Sequence, residues 1–319
     1  MKTIGLIFNP HAKQNSVGTN NSFSEMRAIL GQNAIARITD DKDEISEVVR
    51  EFHDKGVNLM CISGGDGTIS SVLTSYINLY GYNDLPLIVP LRGGTMNMIS
   101  SDVGIEINQT NVCRALVRNI RNNDQLRSLK RGTIKVIDPR FQHSYYSFTW
   151  IDGLLHKFIK WYYRDGAGVG VALQLILKTF VIALTNINHE LFKQVDSTVY
   201  LNDKKLPFND HLFIAAASVK RLVFGIKAFA EEIEPEGKFN FIYMRLPYFK
   251  KSLFKIPIGL YSSLKSDKTG NFVNKSTKSL RIGGNRGYVI DGEVLDSENP
   301  IDISLEMGPT INFISFNKK

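Results

Sequence analysis

Cysteine is scarce in this 319-residue chain. Cys61 and Cys113 are the only two, both in apolar surroundings. Two are too few for a disulfide framework, no zinc-ligand spacing accompanies them, and a reducing compartment is expected. Long uncharged apolar runs are also missing. The best candidate, Val169 to Ile187, carries Lys178 near its middle and is closed by Asn186, Asn188 and His189. A central Lys costs about 2.5–3.5 kcal/mol on insertion, so this stretch reads as a buried or membrane-touching helix, not a spanning one. The apolar part of Met1–Phe8 runs directly into Asn9-Pro10, too short for a secretory core, and no export is expected. Internal repeats, low-complexity tracts and the Gly-x-x-x-x-Gly-Lys-Ser/Thr phosphate loop are absent as well. What is present is a core-forming composition, 43% hydrophobic, with 39 Lys+Arg against 31 Asp+Glu for a net charge of +8. That excludes a disordered chain, favours two domains over one, and favours anionic partners.

The first 130 residues alternate strand-like and helix-like runs: 3–8, 23–30, 34–38, 44–55, 57–62, 68–79, 87–89 and 112–121. This βα alternation predicts a parallel sheet covered on both faces, with ligands at the carboxyl ends of its strands. Three loops leave such ends: the one from Asn9-Pro10, Gly64–Thr68, and Arg92–Thr95. From about Arg131 the texture changes to short alternating segments (133–137, 145–150, 197–201, 211–216, 239–245, 279–282, 287–290, 301–305), which predicts a mostly antiparallel second domain with a helix or two inserted. Lys250 to Arg281 is dense in Lys, with Phe249, Phe254, Ile256, Leu260, Tyr261 and Leu264 interleaved, and is a candidate patch against anionic lipid.

Gly64-Gly65-Asp66-Gly67-Thr68 lies between the apolar run ending at Ile62 and a helical stretch from Ile69. Glycines permit close backbone approach, the following helix offers unsatisfied N–H groups, and Asp66 could reach a phosphate-bound Mg²⁺, so the loop is a candidate phosphate site. The second glycine loop, Arg92-Gly93-Gly94-Thr95-Met96-Asn97, adds a hydroxyl at Thr95 and the charge of Arg92. Near the C-terminus, Asp291-Gly292 between strand-like runs reads by itself as a type I′ hairpin turn.

In order along the chain, Asn9-Pro10-x-Ala12, Thr39, Gly64–Thr68, Gly94-Thr95-x-Asn97, Pro235-x-Gly237 and Asp291-Gly292-Glu293 resemble the diacylglycerol kinase catalytic-domain family, especially the soluble bacterial lipid kinases related to sphingosine kinases. The resemblance implies an α/β plus β architecture: a Rossmann-like nucleotide domain of the phosphofructokinase and NAD-kinase type over residues 1–130, with a C-terminal return at about 306–319, and a β-sandwich lipid-substrate domain over 131–305. ATP and lipid headgroup would meet between them. It implies ATP contacts at Asn9, Pro10, Ala12, Lys13, Thr39, Gly64, Gly65, Asp66, Gly67, Thr68, Gly94, Thr95 and Asn97. Asp66 would serve in catalysis and with Mg²⁺. Asp291 and Glu293 would supply the base that takes the lipid hydroxyl's proton, with the choice between them open. The acceptor would be a lipid alcohol such as diacylglycerol or a sphingoid base, its pocket drawing on Trp161, Tyr162, Tyr163 and Val169–Ile187. A cytoplasmic protein, peripheral at an anionic membrane surface and without nucleic-acid partners, is expected; a homodimer is left open.

The chain departs from the family's pattern in three places. Met98 stands where relatives commonly carry Asp in a metal-linked acidic network. The family's Asp-Gly-Leu metal loop reads Glu236-Gly237-Lys238, where Glu236 with the carbonyls of Ile233 and Lys238 could hold a structural Mg²⁺. The glycine-rich segment expected around 218–225 is missing, which implies a changed lipid pocket. Two rival readings follow: a non-catalytic nucleotide-binding regulator, and a soluble-metabolite kinase like the NAD kinases, which share the first glycine loop but lack the Asp-Gly-Glu ending.

Overall fold

The computed structural model describes residues 2–16, 19–166, 168–220, 229, 237–253 and 266–316. The chain divides into two compact units, Met1–Arg131 with Pro309–Lys319, and Gly132–Gly308.

The first unit contains β1 (Ile4–Phe8), α1 (Thr19–Leu30), β2 (Ile35–Ile38), α2 (Lys42–Asp54), β3 (Leu59–Gly64), α3 (Asp66–Tyr80), β4 (Leu87–Arg92), α4 (Met98–Asp102) and α5 (Gln109–Arg121). Its sheet runs β2-β1-β3-β4, every pairing parallel, from Gly5 opposite Ile35 to Gly64 opposite Arg92. Every residue of β1 and β3 is buried, as a parallel sheet covered on both faces requires. The helices begin where local chemistry predicts. Asp41 accepts the Glu44 N–H ahead of α2 and Asn108 accepts the Asn111 N–H ahead of α5, each satisfying one of the donors a helix start leaves orphaned. The expected βα alternation is present; the five-residue α4 is an addition that periodicity could not show.

The second unit holds β5 (Ser128–Ile137), which enters it from the first, β6 (Tyr145–Ser147), β7 (Thr149–Asp152), α6 (Leu154–Arg164), α7 (Val169–Thr185), β8 (Val195–Asp196), β9 (Thr198–Leu201), β10 (Lys204–Lys205), β11 (Asp210–His211), β12 (Phe213–Ala217), β13 (Phe239–Met244), α8 (Leu246–Ser252), β14 (Phe272–Thr277), β15 (Ser279–Ile290) and β16 (Glu293–Ile314). Antiparallel pairing runs β14-β13-β12-β7-β15-β16. The two short strands expected over 279–282 and 287–290 are one strand, β15, with register shifts between Ile282, Asn285 and Gly287. Bulges bend a strand, so its first half pairs with β9 and its second with β7. The shared ribbon wraps the unit around one core that includes Trp150, Phe239, Phe241, Tyr243 and Tyr288, all fully buried. The chain re-enters the first unit through the end of β16, where Phe313 pairs parallel to Ile88.

A buried polar chain ties four of these elements together. Asp152 Oδ2 lies 2.9 Å from His211 Nε2, and His211 Nδ1 lies 2.6 Å from Ser197 Oγ. Asn285 Nδ2 donates to the same Asp152 oxygen at 3.0 Å, and the Ile214 N–H donates to the other at 2.8 Å. Asp152, His211 and Asn285 are wholly inaccessible to solvent. A buried carboxylate is tolerated only when its lone pairs are used, and removing it strands its partners. Asp152→Ala is expected to cost about 3–5 kcal/mol in urea unfolding, far more than a surface Asp→Ala change; a loss below about 1 kcal/mol would show that the chain is not a structural tie.

Candidate functional site

The two glycine loops of the first unit fold onto each other. None of Gly64, Gly65, Gly93 and Gly94 has a positive φ, so backbone freedom is not why glycine is needed. Space is. A Cβ on Gly94 would come within 2.5 Å of Gly65 Cα, and one on Gly93 within 2.8 Å of Gly64 N. The Gly93 N–H donates to the Gly64 carbonyl at 3.0 Å, and the Gln14 N–H to the Gly93 carbonyl at 2.8 Å, which brings in the third loop.

Side chains lock this arrangement. Asn9 Nδ2 donates to Thr68 Oγ1 at 2.9 Å, joining the third loop to the first glycine loop. Asn97, left-handed at φ 48°, turns its amide onto Gly94, accepting from its N–H at 2.9 Å and donating to its carbonyl at 2.7 Å. Fully buried Asn15, which the motif reading missed, donates to the Asn9 and Ser63 carbonyls and to Ser63 Oγ, and accepts from Gln109 Nε2 at 2.8 Å. Nothing in its sequence neighbourhood distinguishes it from a loop Asn, and Gln109 is remote in the chain.

Asp66 is the electrostatic centre. Its carboxylate accepts the Met98 N–H at 3.0 Å and the Ile99 N–H at 2.9 Å, the first turn of α4. Burial pushes its pKa up from the ordinary Asp value, with the two N–H bonds and the charge of Arg92 offsetting part of the rise. Met98 therefore takes part through its backbone, whatever its side chain. Arg92 is directed elsewhere than the sequence implied: its guanidinium donates to Ser101 Oγ and the Ile105 carbonyl, fastening the segment around α4.

The residues expected to contact ATP gather in part. Asn9, Thr68, Gly64, Gly65 and Gly94 meet directly or through one hydrogen bond. Thr39 follows β2, its N–H donating to the Phe8 carbonyl at 2.9 Å, beside Asn9. Its hydroxyl is buried and has no hydrogen-bond partner, an arrangement that fits a ligand's polar atom. Asp66 and Gly67 open α3, whose first amides have no carbonyl within the helix to bond. Lys13 is exposed, while Ala12 and Thr95 are partly exposed. Asn97 is engaged by Gly94, so its part is to shape the loop. For Mg²⁺ the fit is narrower. No group of three or more His, Cys, Asp or Glu that could hold a metal occurs among the described residues. A cation here would rest chiefly on nucleotide phosphates, with Asp66 the available carboxylate. Ile233 and Glu236 lie outside the described residues.

In the second unit, Asp291-Gly292 is the expected turn, and the Asp291 carboxylate is held in place there. With φ of 46° and 89°, the two residues close the β15–β16 hairpin. The Asp291 carboxylate is buried and takes three donors, the Phe148 N–H at 2.9 Å and the N–H and hydroxyl of Thr149 at 2.8 Å. That use of the Phe148 N–H is where the strand expected over 145–150 breaks into β6 and β7. Glu293 is half-exposed at the far side of the turn, and Tyr163 Oη donates to the Gly292 carbonyl at 2.7 Å. Below the turn, Asp138 accepts from Tyr288 Oη and from Arg140, each at 2.6 Å. The polar pocket formed by Asp196, Ser197, Tyr200, Arg281, Gly284 and Asp302 contains none of the residues singled out by the motifs.

The sequence model described as the diacylglycerol kinase catalytic domain matches residues 3–128, the span of both glycine loops. The chain is 37% identical over 75 residues to "Probable lipid kinase YegS" of Escherichia coli O6:K15:H31 (strain 536 / UPEC), covering 24% of this chain and 25% of that protein. The Shigella flexneri protein of the same name is 36% identical over the same length and shares. The chain thus matches about a quarter of the length of these relatives. Two solved structures from Bacillus anthracis str. Sterne share the fold over 99% of this chain. One, named only provisionally as a diacylglycerol kinase, is 17% identical with TM-score 0.69 over 95% of its own length. The other, named a diacylglycerol kinase, is 15% identical with TM-score 0.64 over 97%. The mixed fold of an N-terminal α/β unit and a C-terminal β-rich unit is therefore that of diacylglycerol kinase-like structures. No helix among the described residues is long and apolar enough to cross a membrane.

Two outcomes follow from this geometry. Asp66→Asn places an NH₂ group against the Met98 or Ile99 N–H; about 2–4 kcal/mol should be lost and these two amides should exchange with solvent markedly faster. Unchanged protection there would refute the role of Asp66 in holding α4. Burial raises the Asp138 carboxyl, but the hydrogen bonds from Arg140 and Tyr288 outweigh it and hold its pKa below the ordinary value. Its stabilisation is thus complete above the ordinary carboxylate range and lost as pH falls through and below it. The stability gap between wild type and Asp138→Asn, measured by denaturation across the acid range, should shrink in that direction; a gap constant with pH would contradict it.

Proposed function

We propose that this protein is an ATP-dependent lipid kinase that transfers the γ-phosphoryl group to the hydroxyl of a lipid alcohol such as diacylglycerol or a sphingoid base. The observation that carries the reading is the pair of interlocked glycine loops at the start of α3, beside the unpartnered hydroxyl of Thr39, in a domain of the diacylglycerol kinase catalytic family. The names of the short-range relatives support the choice of a lipid acceptor.

On this reading the first unit binds ATP and the second receives the lipid hydroxyl. The first amides of α3 and the Thr68 and Thr95 hydroxyls bind phosphate oxygens, and Thr39 orients the nucleotide through its hydroxyl. Bound Mg²⁺ would neutralise charge on the β- and γ-phosphates. Asp291 and Glu293 supply the base. The hydroxyl proton passes to a carboxylate as the acceptor oxygen bonds to the γ-phosphorus and the bond to the ADP oxygen breaks. Asp291, fixed by three donors, is the rigid member of the pair. Protein chemistry beyond this is positioning, the main contribution in phosphoryl transfer. The enzyme works at the cytoplasmic membrane surface.

One observation favours a second reading, a nucleotide-binding regulator without turnover: both oxygens of Asp66 are already held by backbone amides. The two readings separate in one experiment. Wild type, Asp291→Asn and Glu293→Gln are incubated with γ-labelled ATP, Mg²⁺ and a mixed lipid extract, and nucleotide affinity is measured alongside. The kinase reading expects a labelled lipid with wild type, and a loss of about 10²- to 10⁴-fold in at least one variant with ATP affinity retained. ATP binding with no labelled lipid from wild type would replace it with the regulator.

A further inference from the structure

Helix α7 carries its apolar residues on the wrong side for a core. Ala172, Leu175 and Ala183 face inward and are buried. Leu173, Ile176, Leu177, Val181 and Leu184 are 41–58% exposed. Their spacing of three and four residues puts these five on a single face of the helix, an arc to which Phe180 also belongs. A contiguous apolar patch of this kind, on the order of 500 Å², is at the upper end of what a monomer ordinarily leaves in water.

The chemistry around the patch indicates what covers it. From Leu154 to Thr185 the helix pair carries Lys157, Lys160, Arg164 and Lys178; Lys157 is bonded to the Glu190 and Lys193 carbonyls, Lys160 is paired with Asp296 and Arg164 with Asp165, so Lys178 is the cation that borders the stripe. Lys178 is exposed beside the apolar face and stands over the Trp161 ring at 5.1 Å, with Arg164 over the same ring at 5.7 Å. Exposed Tyr163 belongs to the same helix, α6. Aromatic bodies with polar tips and long basic side chains beside an apolar stripe are the composition of an element lying in a lipid interface, where the stripe enters the acyl boundary and the cations meet anionic headgroups. A second copy of the chain suits the patch less well, because a stable interface buries about 800 Å² on each partner.

We propose that the exposed face of α7, flanked by Lys178 and Arg164, is the surface by which this protein docks on an anionic phospholipid membrane. The inference takes its biological sense from the lipid-kinase reading and names the docking element that reading lacks. The Lys-rich segment singled out in the sequence is a weaker candidate: residues 254–265 lie outside the described structure, and Phe249, one of its interleaved apolar residues, is buried against Phe192 with ring centroids 5.5 Å apart.

The test is flotation of the full chain with phosphatidylcholine vesicles with and without phosphatidylglycerol, in the absence of ATP. Wild type should float with the anionic vesicles and less with neutral ones, and Leu177→Gln/Val181→Gln should reduce partitioning by about tenfold or more, with circular dichroism confirming that it is folded. As a check that does not depend on a disruptive change, Leu177→Cys is labelled with a polarity-sensitive dye, the native Cys61 and Cys113 being buried. Its emission should shift to the blue on vesicles. The proposal is overturned if wild type stays unbound, if the double variant floats like wild type, if the dye reports no change, or if sedimentation without lipid shows a dimer that the double variant abolishes. Because no turnover is read, failure of the kinase reading leaves flotation intact, and phosphorylation of a dispersed short-chain acceptor without flotation would remove the docking surface alone.

Discussion

The Asp66 carboxylate, buried against the Met98 and Ile99 amides, is the contact on which the first unit's functional end depends. A carboxylate out of water is expensive unless charge-assisted hydrogen bonds replace its hydration, each contributing about 1.5–3 kcal/mol. Two backbone donors at a helix start do so without a cation. The consequence is structural as well as electrostatic: Asp66 opens α3 and simultaneously caps α4, so the first glycine loop cannot move without the second. Gly94 packed on Gly65, and Asn97 clasping Gly94, are the close-range terms of the same coupling.

This gives Met98 a different meaning from the one its side chain conveys. An Asp at that position would add negative charge beside Asp66. With Met there, the local field around Asp66 comes from N–H dipoles and Arg92, and burial still raises its pKa. The two amides hold the loop through the backbone of Met98 and Ile99, with no second carboxylate at position 98.

The second unit solves an analogous problem with different parts. Asp291 sits at a left-handed turn position, which Asp and Gly tolerate, and its carboxylate is gripped by Phe148 and Thr149 from the neighbouring strand boundary. The same residue closes the hairpin and anchors it, because its buried carboxylate takes donors from the adjoining strand boundary. The Asp152–His211–Ser197 chain has the residue types of a catalytic triad, yet its members are tied to Asn285 and the Ile214 amide inside the unit, which makes it a brace between strands.

Much of this was legible in the residue order. Periodicity and turn chemistry located the parallel strands, their helices and the antiparallel texture after Arg131, because those depend on neighbours within a few positions. The strand–turn–helix around the first glycine loop was legible for the same reason: five adjacent letters carry the strand's end, the turn and the helix start. Tertiary structure decided what adjacency cannot encode. The short α4 exists because Asp66, 32 residues before Met98, supplies its cap; β15 is one strand because bulges let it serve two neighbours; Asn15 matters because Gln109 and Ser63 arrive from elsewhere. The fate of the apolar residues in α7 was likewise undecided, since hydrophobicity says that a face seeks cover and only packing shows which face the protein leaves uncovered.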